Sequence, residues 1–191
     1  YIFDNPNLAD NFQSAVNILE SYRKGNLKGS EVFDVDKLSK WLAIGDLLGA
    51  WHGFSWGNVK FIYNDNANNL MPTVWDSTDE NNTANHDNFL SYRIFRLNDS
   101  YMNPDSAFWK GLFDDNKIVS LYLMYLEKYT DPEFIDTFFN NNQQDINNYM
   151  SLLNLDYPSM KIEEEIERIK SNAEYIRKVY LHSDQPFNSY F

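Results

Sequence analysis

The stretch that decides the fold is residues 49–76, GAWHGFSWGNVKFIYNDNANNLMPTVWD. Val59, Phe61 and Tyr63 alternate with Lys60 and Ile62, a pattern that indicates a β-strand although Ile62 is itself apolar. Residues 64–69 are almost all Asn or Asp, which favour a turn, and residues 70–75 can return as a second strand. This stretch therefore predicts a short antiparallel hairpin over about residues 59–75.

The residues before the hairpin have helical periodicity. Apolar residues recur three or four positions apart from residue 8 to residue 22, and Gly25 is placed to end that helix. A second helix is expected to start near Asp34 or Asp36, either of which can cap it, and to end before Gly49. The apolar face of this second helix is predicted to carry Leu38, Trp41, Leu42 and Leu48.

The residues after the hairpin return to the helical pattern. Residues 77–88 are polar and without periodicity, which predicts a loop, and helical spacing resumes from Phe89. Asp131-Pro132-Glu133 supplies a cap, a fixed φ and a carboxylate, which together predict a helix start. A final helix is expected over residues 159–181. Its apolar stripe consists of Ile162, Ile166, Ile169, Ala173, Ile176 and Tyr180.

These patterns predict a mainly α (α+β) fold with one short antiparallel β-hairpin. Residues 1–191 are expected to form a single domain that ends in a tail at residues 182–191. A hydrophobic content of 43% and an aromatic content of 17% exclude disorder as the main state. The apolar runs are all shorter than the roughly 18 residues that a membrane-spanning helix needs.

Charge and cysteine content narrow the possible functions. The net charge is −12, and Lys and Arg form no stripe along the chain, which argues against nucleic acid as a partner. The chain has no cysteine, so disulfides, thiolate zinc sites and cysteine nucleophiles are excluded.

The hairpin segment carries the residues that could do chemistry. Phosphoryl transfer needs oxygen ligands for a divalent metal and a group that orients the attacking hydroxyl. Asn58 and Asp76 flank the hairpin, so its fold can bring both to one ion, and His52 lies in the loop before it. The alternatives are structural: Asn58 can brace a turn, Asp76 can close a hairpin end, and His52 can be simply exposed.

Several segments, taken in order, resemble the CotH-like family of atypical kinases from spore coats. The resemblance covers most of residues 30–181. Its individual motifs are loose, so it depends on their order and spacing. They are Asp34-Val35-Asp36, Asp46-Leu47-Leu48-Gly49-Ala50-Trp51-His52, Asn58-Val59-Lys60-Phe61-Ile62-Tyr63, Trp75-Asp76, Phe108-Trp109-Lys110-Gly111-Leu112, Tyr122-Leu123-Met124-Tyr125-Leu126 and Tyr175-Ile176-Arg177.

The resemblance implies a kinase C-lobe-like helical domain that uses ATP with Mg²⁺ or Mn²⁺ to phosphorylate Ser or Thr of a protein substrate. Asn58 and Asp76 would bind the metal and, through it, the nucleotide. His52 takes the catalytic position where many members have Asp. A second Asp of the family is Thr78 here, and Asp79 just beyond it could replace that Asp as a metal ligand. The family also implies a spore-coat or cell-surface setting, which the sequence itself does not indicate.

An ATP site also needs a lobe that covers the phosphates. Nothing before residue 50 reads as such a sheet, and the seven glycines form no phosphate-binding loop. The chain is therefore expected to be an incomplete carboxy-terminal lobe, inactive alone, whose partner is a missing amino-terminal lobe or a protein substrate. The alternatives are a non-catalytic scaffold module that retains the fold and, more weakly, a generic helical binding domain.

Overall fold

The computed structural model describes residues 5–54, 57–75 and 104–181. Across these residues the protein is mainly α-helical, with a two-stranded antiparallel hairpin as its β structure. The predicted fold class is thereby confirmed. The predicted loop, the residues from Phe89 to the next described helix, and the terminal tail lie outside the described residues. Among the helices that the structure describes, none is long and apolar enough to cross a membrane.

The amino-terminal part forms three helices whose starts follow from local chemistry. Helix α1 spans Pro6–Arg23, and the Asn5 side chain accepts hydrogen bonds from backbone N–H groups of its first turn. Helix α2 is a single turn, Gly29–Val32, that periodicity did not predict because four residues are too few to show a period. Helix α3 spans Val35–Leu48, and of the two predicted caps it is Asp34 that accepts the N–H of the first turn.

The hairpin has the predicted position and a tight register. Strand β1 spans Lys60–Asn64, one residue later than predicted, and strand β2 spans Asn69–Thr73, which starts one residue earlier and ends two residues earlier than predicted. Asn68 in the turn has a φ of 50°, a left-handed conformation that Asn tolerates better than most residues. Pro72 lies within β2, which a two-stranded sheet permits because both strands are edge strands.

The carboxy-terminal part is a series of helices. Asp131 caps one of them with Pro132 at its first position, as the sequence predicts. The final helix starts at Ile162, three residues later than predicted, and ends at Ile176 in a π-helical turn, Arg177–Leu181. The helices are α4 (Pro104–Phe113), α5 (Asn116–Tyr129), α6 (Pro132–Asn141), α7 (Gln143–Asp156) and α8 (Ile162–Ile176).

The core lies where α3 packs along α5, with the hairpin and α4 at one end of this pair. Aromatic rings meet edge to face there: Tyr22 of α1 contacts Phe33 and Phe108 with ring centroids 5.4 and 5.6 Å apart. The main buried aliphatic side chains are Val32, Leu38, Leu42, Leu70, Leu112, Ile118, Leu126 and Ile176. Burying each contributes roughly 1.5–3 kcal/mol, and half of these side chains belong to α3 and α5.

One buried carboxylate joins two helices. Asp115 caps α5 by accepting the Lys117 N–H through Oδ1 at 3.0 Å. Its other oxygen, Oδ2, accepts the N–H of Ser30 in α2 at 2.8 Å. Burial alone would raise the pKa of Asp115, but the hydrogen bonds from Ser30 and Lys117 outweigh it and hold the pKa below 3.8. Asp115 therefore connects α2 to the start of α5.

The apolar face of α1 is only partly covered. Its carboxy-terminal half packs on the core through Tyr22, as the helical spacing predicts. Leu8, Phe12 and Val16, however, are exposed. The amphipathic pattern predicts the orientation of the helix, but it does not show how far along its length another element covers that face.

Candidate functional site

His52 lies in a 3₁₀ turn, Trp51–Phe54, directly after the end of α3. The helix ends because Gly49 adopts the left-handed conformation, with a φ of 63°, and Ala50 then donates its N–H to the Gly45 carbonyl. The N–H of Gly53 closes the next turn on the Ala50 carbonyl at 3.1 Å. His52 is half-buried with its Nδ1 atom fully buried, so a proton exchanged with a substrate would use Nε2.

Phe54 anchors this turn to the core. Its ring lies against Gly45 of α3, where an added Cβ would come within 1.9 Å of the ring. It also meets Trp41 and Trp109 edge to face, with centroid distances of 4.6 and 5.8 Å. Gly45 is therefore required for close approach rather than for an unusual φ, and the position of His52 follows from this packing.

Asn58 closes the loop that begins at His52. Its Nδ2 donates to the His52 carbonyl oxygen at 3.1 Å, across six residues of chain. Lys60 adds a second link by donating to the Gly57 carbonyl at 2.9 Å. Asn58 thus performs the bracing role that was one of its two predicted roles. The same bond orients the carboxamide, whose Oδ1 is the atom that could ligate a metal.

The hairpin register brings Asn58 to the end of the sheet that the chain reaches before Asp76. Lys60 of β1 pairs with Thr73 of β2. Asn58 lies two residues before Lys60, and Trp75 lies two residues after Thr73, so both adjoin the same end of the hairpin. Asp76 follows Trp75 directly in the sequence. Asp76 itself, Thr78 and Asp79 lie outside the described residues, so their predicted roles as ligands stay predictions.

Metal ligation by the described residues alone is limited. Within residues 5–54, 57–75 and 104–181, His, Asp and Glu side chains form no group of three or more that could hold an ion. Of the predicted ligands, Asn58 is the one whose position is known. An amide oxygen with one or two carboxylates is a donor set that suits Mg²⁺ or Mn²⁺. A metal here would therefore depend on Asp76 or Asp79 joining Asn58.

A buried polar pair that the helical periodicity does not predict joins α3 to α5. Asp46 of α3 is 1% exposed, and the hydroxyl of the fully buried Tyr122 in α5 donates to its Oδ2. Asp46 lies three residues before Gly49, so the pair connects the end of α3 to α5. The sequence signal was an Asp placed among the leucines of an apolar helix, which is unusual unless the carboxylate has a buried partner.

The first motif of the resemblance has local structural roles. Asp34 caps α3, and Asp36 accepts hydrogen bonds from Tyr125 of α5 and from Lys40, the latter at 2.7 Å. The bonds from Lys40 and Tyr125 lower the pKa of Asp36, and the Asp36 bond raises the pKa of Tyr125. Asp34 therefore stabilises the start of α3, and Asp36 connects α3 to α5.

Two polar residues of α8 contact the end of α3, although the helical pattern places Arg168 on the solvent-facing side. Arg168 Nη1 donates to the Leu48 carbonyl at 2.7 Å, and Asn172 Nδ2 donates to the Leu47 carbonyl at 3.0 Å. These contacts span more than 100 residues of sequence, so no local pattern could have predicted them.

In comparisons with known proteins, no family model matches the chain, and no curated protein or solved structure is significantly similar to it. A function for this chain is therefore inferred from its residues and their geometry.

Proposed function

We propose that this chain is the helical C-lobe-like part of an ATP- and divalent-metal-dependent atypical protein kinase, incomplete without a lobe that covers the phosphates. The observation that supports it best is the loop from His52 to Asn58, closed by the Asn58–His52 hydrogen bond and followed directly by the hairpin. This order resembles that of protein kinases, in which a catalytic-loop Asn and an Asp further along the chain hold the metal ions.

The roles in this proposal follow the chemistry of each side chain. Asn58 Oδ1 and the Asp76 carboxylate would hold Mg²⁺ or Mn²⁺, with Asp79 as a further ligand. The metal neutralises charge on the ATP phosphates. A Ser or Thr hydroxyl oxygen of the protein substrate forms the new bond to the γ-phosphorus, the bond to the bridging oxygen breaks, and ADP leaves. His52 would orient that hydroxyl and accept its proton through Nε2.

A second candidate is a scaffold module that keeps the fold without catalysis, and two features favour it. His52 stands where many members of the resembling family have Asp, and a neutral imidazole does not reproduce the charge of a carboxylate. The Asn58 amide already has a structural partner in the His52 carbonyl. In this alternative the loop would present a surface and would not bind a nucleotide.

The first experiment measures Mn²⁺ binding by the isolated chain, with and without ATP. We expect weak Mn²⁺ binding by the wild type. The Asp76→Asn variant should reduce the affinity by at least about tenfold, because mutation of a residue that only supports a metal ligand already costs about tenfold or more. Asp65→Asn is the matched control, since Asp65 is an exposed carboxylate in the turn at the opposite end of the hairpin. Equal losses in both variants would argue that Mn²⁺ binds only through general negative charge.

The second experiment measures phosphoryl transfer from ATP to a serine-rich protein. We expect none from the isolated chain, because catalysis here depends on positioning and half a site does not position the phosphates. The natural protein joined to its amino-terminal lobe should transfer phosphate and lose this activity in Asp76→Asn. If it is inactive while its His52→Asp variant is active, the scaffold function is correct. Tight ATP binding by the isolated chain would contradict the incomplete-lobe proposal.

A further inference from the structure

The carboxy-terminal end of α3 is completed by side chains from α8. The last carbonyls of a helix have no partner within it. Leu48 is the last residue of α3, and the left-handed Gly49 follows it as the cap. Arg168 and Asn172 supply the missing donors to the carbonyls of Leu48 and Leu47. We call these two side chains the α8 clamp. The clamp therefore fixes the point at which the chain leaves α3.

Both members of the clamp are held in place. Asn172 is 3% exposed, and a buried amide of this kind is costly unless it is hydrogen-bonded. Arg168 is half-buried, and Glu165 one turn earlier accepts from its Nε at 3.0 Å and from its Nη2 at 2.7 Å. Two nitrogens of the guanidinium thus bind Glu165 and the third, Nη1, binds α3. A planar side chain fixed in this way is a preoriented donor.

The clamp is connected to the candidate site through short, bonded steps. An added Cβ at Gly49 would lie 3.6 Å from Asn172 Nδ2 and 3.8 Å from Arg168 Nη1, so both donors lie against the turn itself. Ala50, the next residue, is 3% exposed and bonded back to α3. His52 follows two residues later, and Asn58 is bonded to its carbonyl. A shift at the end of α3 would therefore reach both site residues.

We propose that Arg168 and Asn172 are positioning residues for the His52–Asn58 loop, so that docking of α8 regulates the candidate site. The importance of this regulation for phosphoryl transfer rests on the proposed function. The geometric coupling does not, since it concerns only where the loop begins. A shift of Arg168 and Asn172 away from the end of α3 would release the turn that carries His52, even where Ile176 keeps the far end of α8 in the core.

The test compares variants of the full chain by NMR, with the His52 ring and the Asn58 side-chain amide as the observed groups. Arg168→Met keeps a long side chain of similar volume and Asn172→Leu keeps the branched shape, and both variants remove the donors. Arg177→Met is the matched control, because Arg177 Nη1 donates to a backbone carbonyl of α5, that of Glu127, at 3.3 Å. The His52 signals are identified by their loss in a His52→Gln variant.

We expect Arg168→Met and Asn172→Leu to shift or broaden the His52 and Asn58 signals, and Arg177→Met to leave them unchanged. Arg168→Lys, which keeps one charged donor, should partly restore them and also serves if Arg168→Met does not fold. In Mn²⁺ titrations, the concentration that broadens the Asn58 amide should rise about tenfold in the two clamp variants, as is typical when a supporting residue is lost.

The two possible failures are distinguishable. If the clamp variants lose stability but keep wild-type His52 and Asn58 signals, the clamp is structural only and the inference is wrong. If those signals move as expected but Mn²⁺ does not affect the Asn58 amide even in the wild type, the coupling holds and the proposed metal function fails.

Discussion

Asp115 offers the sharpest test of the packing, because its two oxygens hold two different helices. Oδ1 accepts the N–H of Lys117 in its own helix, whereas Oδ2 accepts the N–H of Ser30 in α2. Asp115→Asn places an NH₂ group opposite one of these donors. The amide keeps the cap through its remaining oxygen and breaks the connection to α2, while Asp115→Ala breaks both.

The expected magnitudes follow from the two bonds. Loss of an N-cap typically costs about 1 kcal/mol of unfolding free energy. A buried N–H left without its charged acceptor costs about 1–3 kcal/mol more. We therefore expect Asp115→Asn to destabilise the protein by about 1–3 kcal/mol and Asp115→Ala by about 2–4 kcal/mol. For a chain of this length, the latter corresponds to a decrease in Tm of roughly 4–16 °C.

The assay is urea and thermal unfolding followed by circular dichroism, with Asp114→Asn as the control. Asp114 is exposed and adjacent, so its variant changes the same charge without either bond. Asp131→Ala adds a second comparison, since Asp131 caps α6 alone. If Asp115→Ala costs no more than Asp131→Ala, or if Asp115→Asn is as mild as Asp114→Asn, the proposed connection to α2 does not contribute.

The depressed pKa of Asp115 gives this prediction a pH dependence. A carboxylate whose pKa is lower in the folded state than its usual 3.8 stabilises the fold above that value and loses this contribution as the pH falls through the folded pKa. The wild type should therefore lose stability more steeply below about pH 4 than Asp115→Asn does. Parallel acid-unfolding curves for the two proteins would contradict this reasoning.

Three further predictions concern the core and the loop. Gly45→Ala should destabilise the protein by about 1–3 kcal/mol and alter the His52 signals in NMR, because its Cβ would displace the buried ring of Phe54. Unchanged His52 signals would show that the ring can move without shifting the turn. Tyr22→Phe should cost about 1–2 kcal/mol in urea unfolding, because the Phe108 carbonyl loses the hydroxyl that donates to it at 2.6 Å, whereas a neutral effect would indicate that water replaces that bond. Burial raises the pKa of Tyr22 well above its usual 10.0, so the wild type should lose stability as the pH rises above that value. The Tyr22→Phe variant should lose less stability over the same pH range. Equal losses of unfolding free energy in the two proteins would exclude Tyr22 as the cause.

Local patterns in the sequence predicted the elements whose causes are local. The starts at Asp131 and at either Asp34 or Asp36 follow from the sequence because capping depends on residues within one turn, and Asp34 is the cap observed. The hairpin followed from a change of period and an Asn-rich turn, both of which are read within about fifteen residues. For the candidate site, the order of the loop and two possible roles of Asn58 follow from local patterns, and the bracing role is the one observed.

The contacts that complete the site could not be predicted from one sequence. The Asp46–Tyr122 pair, the Asp115–Ser30 bond and the Arg168–Leu48 bond join residues 76, 85 and 120 positions apart. Periodicity places Arg168 on a polar face, but it does not show that a neighbouring helix ends beside that face with open carbonyls. Long side chains such as Arg often cross from a polar face to a buried partner, which periodicity cannot resolve.

The α8 clamp also has a consequence for the order of events during synthesis. The donors that complete the end of α3 are made at least 120 residues after the carbonyls that accept them. At a translation rate of roughly 5–20 residues per second, α3 would wait about 6–24 s before its end could be closed. Contacts of such long sequence separation form late in folding, because the intervening chain must first be ordered. On the ribosome, the His52 turn would therefore be among the last parts of the protein to take its final form, after the helices that surround it.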